Sequence, residues 1–139
     1  MILVDTSVWI DFFAGRELPH VIILEQLLQT DADIALCGIV LTEVLQGIAN
    51  DRQHQTVKDY LSPLIQLDIQ APIWLSAADI YRNLRKQGIT IRKTNDCVIA
   101  ATALYYQSYL LHNDRDFDAI RQYYPLQTQS LPPHYGRNP

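Results

Sequence analysis

Short apolar runs alternate along this chain with longer stretches of helical spacing, and that alternation restricts the folds open to it more than any other feature. Ile2-Leu3-Val4 reads as a strand that stops at Asp5. A helix follows, capped by Thr6 or Ser7, carrying Val8, Trp9, Phe12 and Phe13 and closed by Gly15. Pro19 opens a second helix with Ile23, Leu24, Leu27 and Leu28 on one face. Ile34 to Cys37 is a buried strand ended by Gly38, and helices follow over 40–49 and 53–61. Leu64 to Ile69 is a further strand. Pro72 then begins a long amphipathic helix closed by Gly88. The stretch 95–106 is apolar beyond its first turn, as a central buried helix would be. Tyr109 to Leu111 is a strand, 116–123 a short helix, and Leu126 to Thr128 a last edge strand. Strands this short, each separated from the next by a helix, fit an α/β layered fold on a mainly parallel sheet. The expected organisation is one domain over residues 1–130 and an irregular tail over 131–139, where Leu131-Pro132-Pro133 breaks the pattern.

The 139 residues suit a single core, and no repeat or low-complexity tract interrupts them. Met1 to Val4 meets Asp5 with no basic lead, so it does not read as a secretory signal, and no apolar run reaches membrane-spanning length. Cys37 and Cys97 lack metal-ligand spacing and sit among apolar neighbours, as buried reduced thiols do. The expected compartment is the cytoplasm. With 15 acids against 11 Lys and Arg, the chain carries a net charge of −4, the wrong sign for unaided phosphate binding. Either it avoids nucleic acid, or metal ions supply the positive charge where phosphate must sit.

The acids fall at element ends. Asp5 follows the first strand directly, and Asp114 and Asp116 follow the Tyr109–Leu111 strand, led in by His112 and Asn113. Sites in parallel α/β folds lie beyond these carboxyl ends. Asp96 occupies the first turn of the most apolar helix, and Glu43 borders an apolar face near the start of its own. Singly, each has an ordinary explanation as a cap or a solvated edge. Together they place several carboxylates in one cleft, where mutual repulsion raises their pKa values and a divalent cation would remove the penalty. An all-oxygen donor set favours Mg²⁺ or Mn²⁺ over zinc. Asp114, Asp116 and Asp118 also spell D-x-D-x-D, but Ala119 stands where a calcium loop needs Gly and Pro125 where it needs Glu.

The run Ile2-Leu3-Val4-Asp5-Thr6-Ser7-Val8-Trp9-Ile10-Asp11 resembles the opening of PIN-domain proteins, especially the VapC toxins of bacterial toxin–antitoxin pairs. Leu41-Thr42-Glu43-Val44 is similar to their second acidic motif, Thr94-Asn95-Asp96 to the third, and Asn113-Asp114-Arg115-Asp116-Phe117 to the last. The likeness runs in order over about residues 1–128. It implies a PIN-like three-layer sandwich and a Mg²⁺- or Mn²⁺-dependent endoribonuclease that leaves 5′-phosphates. It also implies a homodimer, and a cognate antitoxin that inserts a segment into the acidic cleft. DNA contact would come only through the antitoxin complex, and no membrane partner is implied. Carried over, Asp5, Glu43, Asp96 and Asp114 match the acidic quartet, with Asp116 competing with Asp114 for the last metal position. The resemblance makes Asp5 and Asp96 the principal ligands, Glu43 the group that orients water or binds a second ion, and Thr6, Asn95 and Asn113 polar supports. Arg82, Arg85, Lys86, Arg92 and Lys93 concentrate positive charge just before Asp96, and Arg92 and Lys93 make a candidate phosphate rim.

A haloacid-dehalogenase phosphatase also begins with a strand and Asp, but it wants a second Asp where this chain has Ser7. A phospho-receiver domain would need paired acids after the first strand. The non-enzyme alternative is a PIN-like RNA- or protein-binding module that keeps the cleft without cutting.

Overall fold

A computed structural model of the chain describes residues 1–129; the tail expected over 131–139 lies outside the described residues. Strands β1 (Ile2–Val4), β2 (Ile34–Cys37), β3 (Ile65–Leu67), β4 (Tyr109–Leu111) and β5 (Thr128–Gln129) form one parallel sheet in the order β3-β2-β1-β4-β5. Among the described residues seven helices join them: α1 (Thr6–Phe13), α2 (Pro19–Gln29), α3 (Gly38–Gln46), α4 (Asp51–Leu61), α5 (Ala71–Lys86), α6 (Thr94–Tyr105) and α7 (Arg115–Arg121). The result is an α/β sandwich.

The central position of β1 follows from its composition. All three of its residues are buried, so it needs cover on both faces and a strand on each side. β4 pairs with it through Ile2↔Tyr109 and Val4↔Leu111, and β2 through Ile2↔Ile34. That register brings the ends of β1 and β4 level. The Asp5 backbone N–H then donates to the Leu111 carbonyl at 2.9 Å, and the Asn113 N–H to Ser7 Oγ at 3.2 Å. Two turns 106 residues apart in sequence are thereby stitched together.

Helix α6 is apolar all round because it is covered all round; Cys97 through Ala103 are buried, and α5 packs along it. Gly15 at φ +72° and Gly88 at φ +81° end α1 and α5 in a left-handed conformation that costs glycine little. Both cysteines are buried free thiols.

Several local expectations shift. The cap of α1 is Asp5, whose side chain accepts from the Ser7 N–H, not Thr6 or Ser7; both of those already lie within the helix. Helix α3 starts directly at Gly38 and stops at Gln46, ahead of 49. The last strand is Thr128–Gln129, starting two residues later than the expected Leu126, because Leu126 is spent as a core side chain in the approach.

Candidate active site

Four of the predicted acids meet at the carboxyl edge of the sheet. Asp5, Glu43, Asp96 and Asp114 line one cleft of about 270 Å³, together with Thr6, Ser7, Ile10, Asp11 and Lys93. Asp5 arrives from the end of β1, Glu43 from the middle of α3, Asp96 from the first turn of α6, and Asp114 as the cap of α7. Asp116 adjoins them: single carboxylate oxygens of Asp96, Asp114 and Asp116 all lie within 4.8 Å of one another. Asp5 is not part of that trio.

Each acid is held differently. Asp5 is 3% exposed, and its Oδ2 accepts from the Ser7 N–H at 3.1 Å and the Ser7 hydroxyl at 2.6 Å. Burial pushes its pKa up, the hydrogen bonds from Ser7 and Thr6 pull it back, and Glu43 adds repulsion; the net direction is upward. Glu43 is fixed from both sides, by the Thr6 hydroxyl on Oε1 at 2.8 Å and the Asn95 amide on Oε2 at 3.4 Å. Thr6 and Asn95 thus share a single task. Asn113 approaches through its backbone, donating to Ser7. Asp114 accepts the Asp116 N–H at 2.9 Å, and Asp116 accepts the Arg92 N–H at 3.3 Å with the Arg92 guanidinium 3.9 Å away. Of the basic run before α6, Lys93 reaches the cleft and Arg92 its Asp116 side.

Asp96 is the outlier. It is 4% exposed, and its Oδ2 is one of two buried side-chain atoms without a hydrogen-bond partner among the described residues, the other being Trp9 Nε1. Burial first, then the charges of Asp114 and Asp5, push its pKa to about 8 against a partial offset from Lys93. A buried oxygen with no partner is costly, and a carboxylate oxygen of Asp96 lies within 4.8 Å of oxygens of Asp114 and Asp116, a spacing that one ion could bridge. The donors are all hard oxygens, and among the described residues no cysteine belongs to the group. The residues therefore fit a hard divalent cation.

The sequence pointed to Ser7 only as a candidate cap and to no site role for Asp11 or His20. Asp11 lines the acidic cleft and is 8% exposed. Despite burial, the Arg16 guanidinium and the His20 ring, 2.6 Å from its Oδ2, hold its carboxyl below the usual range. Neither periodicity nor motif spacing points to a contact from α1 to the start of α2, although Asp11 does stand inside the first motif.

A parallel-sheet sandwich with carboxylates from four separate elements gathered at its edge is a PIN-domain architecture, and the chain belongs to the PIN-domain family: the PIN domain family model matches residues 2–122. Its similarities extend to the VapC ribonucleases. The chain is 36% identical over 133 residues to ribonuclease VapC11 of Mycobacterium tuberculosis, covering 94% of this chain and 99% of that protein. It is 32% identical over 124 residues to ribonuclease VapC1 of Methanocaldococcus jannaschii, covering 88% and 82%. Among solved structures, VapBC-1 from nontypeable Haemophilus influenzae matches with a TM-score of 0.72 at 26% identity, over 94% of this chain and 98% of that one. The fold is shared also with VapBC2 from Rickettsia felis, solved on a DNA fragment from its promoter, at a TM-score of 0.75 and 22% identity over 95% and 100%. No helix among the described residues is long and apolar enough to cross a membrane.

Proposed function

We propose that the chain is a metal-dependent endoribonuclease, the toxin of a toxin–antitoxin pair, which hydrolyses RNA phosphodiester bonds in the cytoplasm. The observation that carries this reading is the buried Asp96 carboxylate, one oxygen of it unpartnered, clustered with those of Asp114 and Asp116 in a chain 36% identical to a protein named as a ribonuclease.

Asp96, Asp114 and Asp116 would hold Mg²⁺ or Mn²⁺, with Asp5 supplying further negative charge in the same cleft. When bound, such an ion neutralises phosphate charge and acidifies a coordinated water. The remaining work belongs to the chain. Glu43, with one oxygen on Thr6 and the other on Asn95, is oriented to position the attacking water or to take a second ion. Lys93 and Arg92 form the rim that receives the phosphodiester, offsetting the acids by charge. Asp5 holds the start of α1 in place through Ser7, which in turn holds the Asn113 backbone. In-line attack would leave a 5′-phosphate.

An antitoxin partner is supported by the likeness to VapBC-1, and family precedent supports a homodimer. DNA contact would come only through the antitoxin complex. The nuclease unit spans residues 1–130.

Purified protein incubated with RNA in Mg²⁺, in EDTA, and as the Asp96→Ala variant in Mg²⁺ tests the reading. Cleavage is expected in the first condition alone, with a loss on the order of 10²–10³-fold in the variant. Equal cleavage in all three would overturn it, and no cleavage by correctly folded protein would favour a non-cutting binding module.

A further inference from the structure

A second cleft adjoins the acidic one. Its volume is about 500 Å³, within the roughly 300–1,000 Å³ of small-ligand sites, and it lies between the start of α2, the β4–α7 turn and the end of β5. Asp114 lines both clefts. A second link joins them, because Asp11 lines the acidic cleft while His20, its partner at 2.6 Å, lines the other.

We propose that this second cleft binds one nucleotide of the RNA strand beside the scissile bond, its phosphate received by Arg115 and Arg121. The inference rests on the nuclease reading and adds to it where the strand continues.

Three observations carry it. Arg115 and Arg121 both line the cleft, are exposed, and have no carboxylate within ion-pairing distance among the described residues. Two carboxylates share that wall, Asp114, which accepts the Asp116 N–H, and the exposed Asp118, 3.9 Å from His112 Nε2, and neither lies within ion-pairing distance of the two arginines. Two free guanidiniums beside a phosphodiester-cleaving site suit the next phosphate of the strand.

The remaining walls divide as a nucleoside does. Leu18, Ile23 and Leu111 give apolar surface for a base, while Thr128 and Gln129 supply hydrogen-bonding groups. His20 and His112 frame the cleft with fixed rings: His20 is tied at Nε2 to Asp11, and His112 Nδ1 accepts the Asp114 N–H at 3.2 Å. Rings so tied form preset walls, which lowers the entropy cost of binding.

The test uses the full chain, ¹⁵N-labelled and held in EDTA so that hydrolysis plays no part. It is titrated with adenosine or uridine 5′-monophosphate, and separately with inorganic phosphate and with a short polyglutamate peptide. Saturable shifts of the Asn113, Arg115 and Gln129 amides are expected with the nucleotides. They should weaken about tenfold in the Arg115→Glu/Arg121→Glu variant, equivalent to about 1.4 kcal/mol, while amides of β2 and β3, remote from the cleft, stay unmoved. The same variant should raise KM for RNA more than it lowers kcat. The proposal is overturned if no shift saturates, if shifts fall only around Lys93, or if phosphate alone binds as well as the nucleotide. Tighter binding of the peptide would assign the cleft to a protein partner and also overturn it. RNA cleavage by the same preparations separates the two readings. Metal-dependent cleavage without nucleotide binding here removes only this subsite, and nucleotide binding without any cleavage removes only the nuclease.

Discussion

The starts of α1 and α6 present the same group in nearly the same burial, and they treat it in opposite ways. Asp5 and Asp96 are 3% and 4% exposed, and each stands at the beginning of a helix. Asp5 is the cap: its Oδ2 takes two hydrogen bonds from Ser7, so the helix gains from it. Asp96 sits inside the first turn with an oxygen that nothing in the described chain satisfies, and its pKa stands at about 8. One carboxylate is explained by the fold that surrounds it. The other detracts from that fold and is explained only by what the cleft would bind.

The first test of this contrast is metal addition. Mg²⁺ or Mn²⁺ at about 100 times its Kd should stabilise the wild-type protein by about 2.7 kcal/mol, and EDTA should reverse it. Thermal melts of Asp96→Asn should show little of that gain. An equal gain in the variant would place the ion elsewhere.

A second test is the pH dependence without metal. The Asp96 pKa is raised from 3.8 to about 8 in the folded state, so between those values the folded protein binds a proton that the unfolded chain does not. The associated stability is fully present below pH 3.8 and is lost as pH rises through about 8. Urea midpoints in EDTA should therefore fall across that window, by at most about 1.4 kcal/mol per pH unit from this group. Asp96→Asn should flatten the profile partly, since Asp5 is shifted in the same direction. A profile unchanged by the substitution would break the comparison.

The smallest effect concerns the cap. Asp5→Asn keeps an acceptor for the Ser7 N–H, whereas Asp5→Ala removes it, so the alanine variant should be less stable than the asparagine one by about 1 kcal/mol in denaturant melts. Equal stability of the two would show that Asp5, like Asp96, owes nothing to its helix.

The parts that sequence made legible are those governed by neighbours in the chain. Ile2-Leu3-Val4, Ile34 to Cys37 and Tyr109 to Leu111 declared themselves as strands because each is a fully apolar run broken by a turn-forming residue. Glu43 stood out as an acid bordering an apolar face, and the structure puts it in the cleft beside Asp5, Asp96 and Asp114. Why its carboxylate stays in place was not legible, because the Thr6 and Asn95 contacts span 37 and 52 residues. The edge strand slipped by two residues for a related reason. An apolar residue such as Leu126 can serve a ladder or a core equally well, and only packing chooses.

By itself, then, the sequence determined the order of elements and the delivery of acids to the ends of β1 and β4 and to the first turn of α6, because hydrophobic period, helix starts and glycine stops are read within a few residues. The tertiary structure decided how those acids are shared out. It set β1 between β2 and β4, brought the Asp5 and Asp114 turns level, and left Asp5 bonded to Ser7 while Asp96 joined Asp114 and Asp116. It also tied Asp11 to His20 between the two clefts. Those outcomes depend on which strands pair and in what register, and in short strands buried on both faces the apolar pattern of the chain does not choose among the partners.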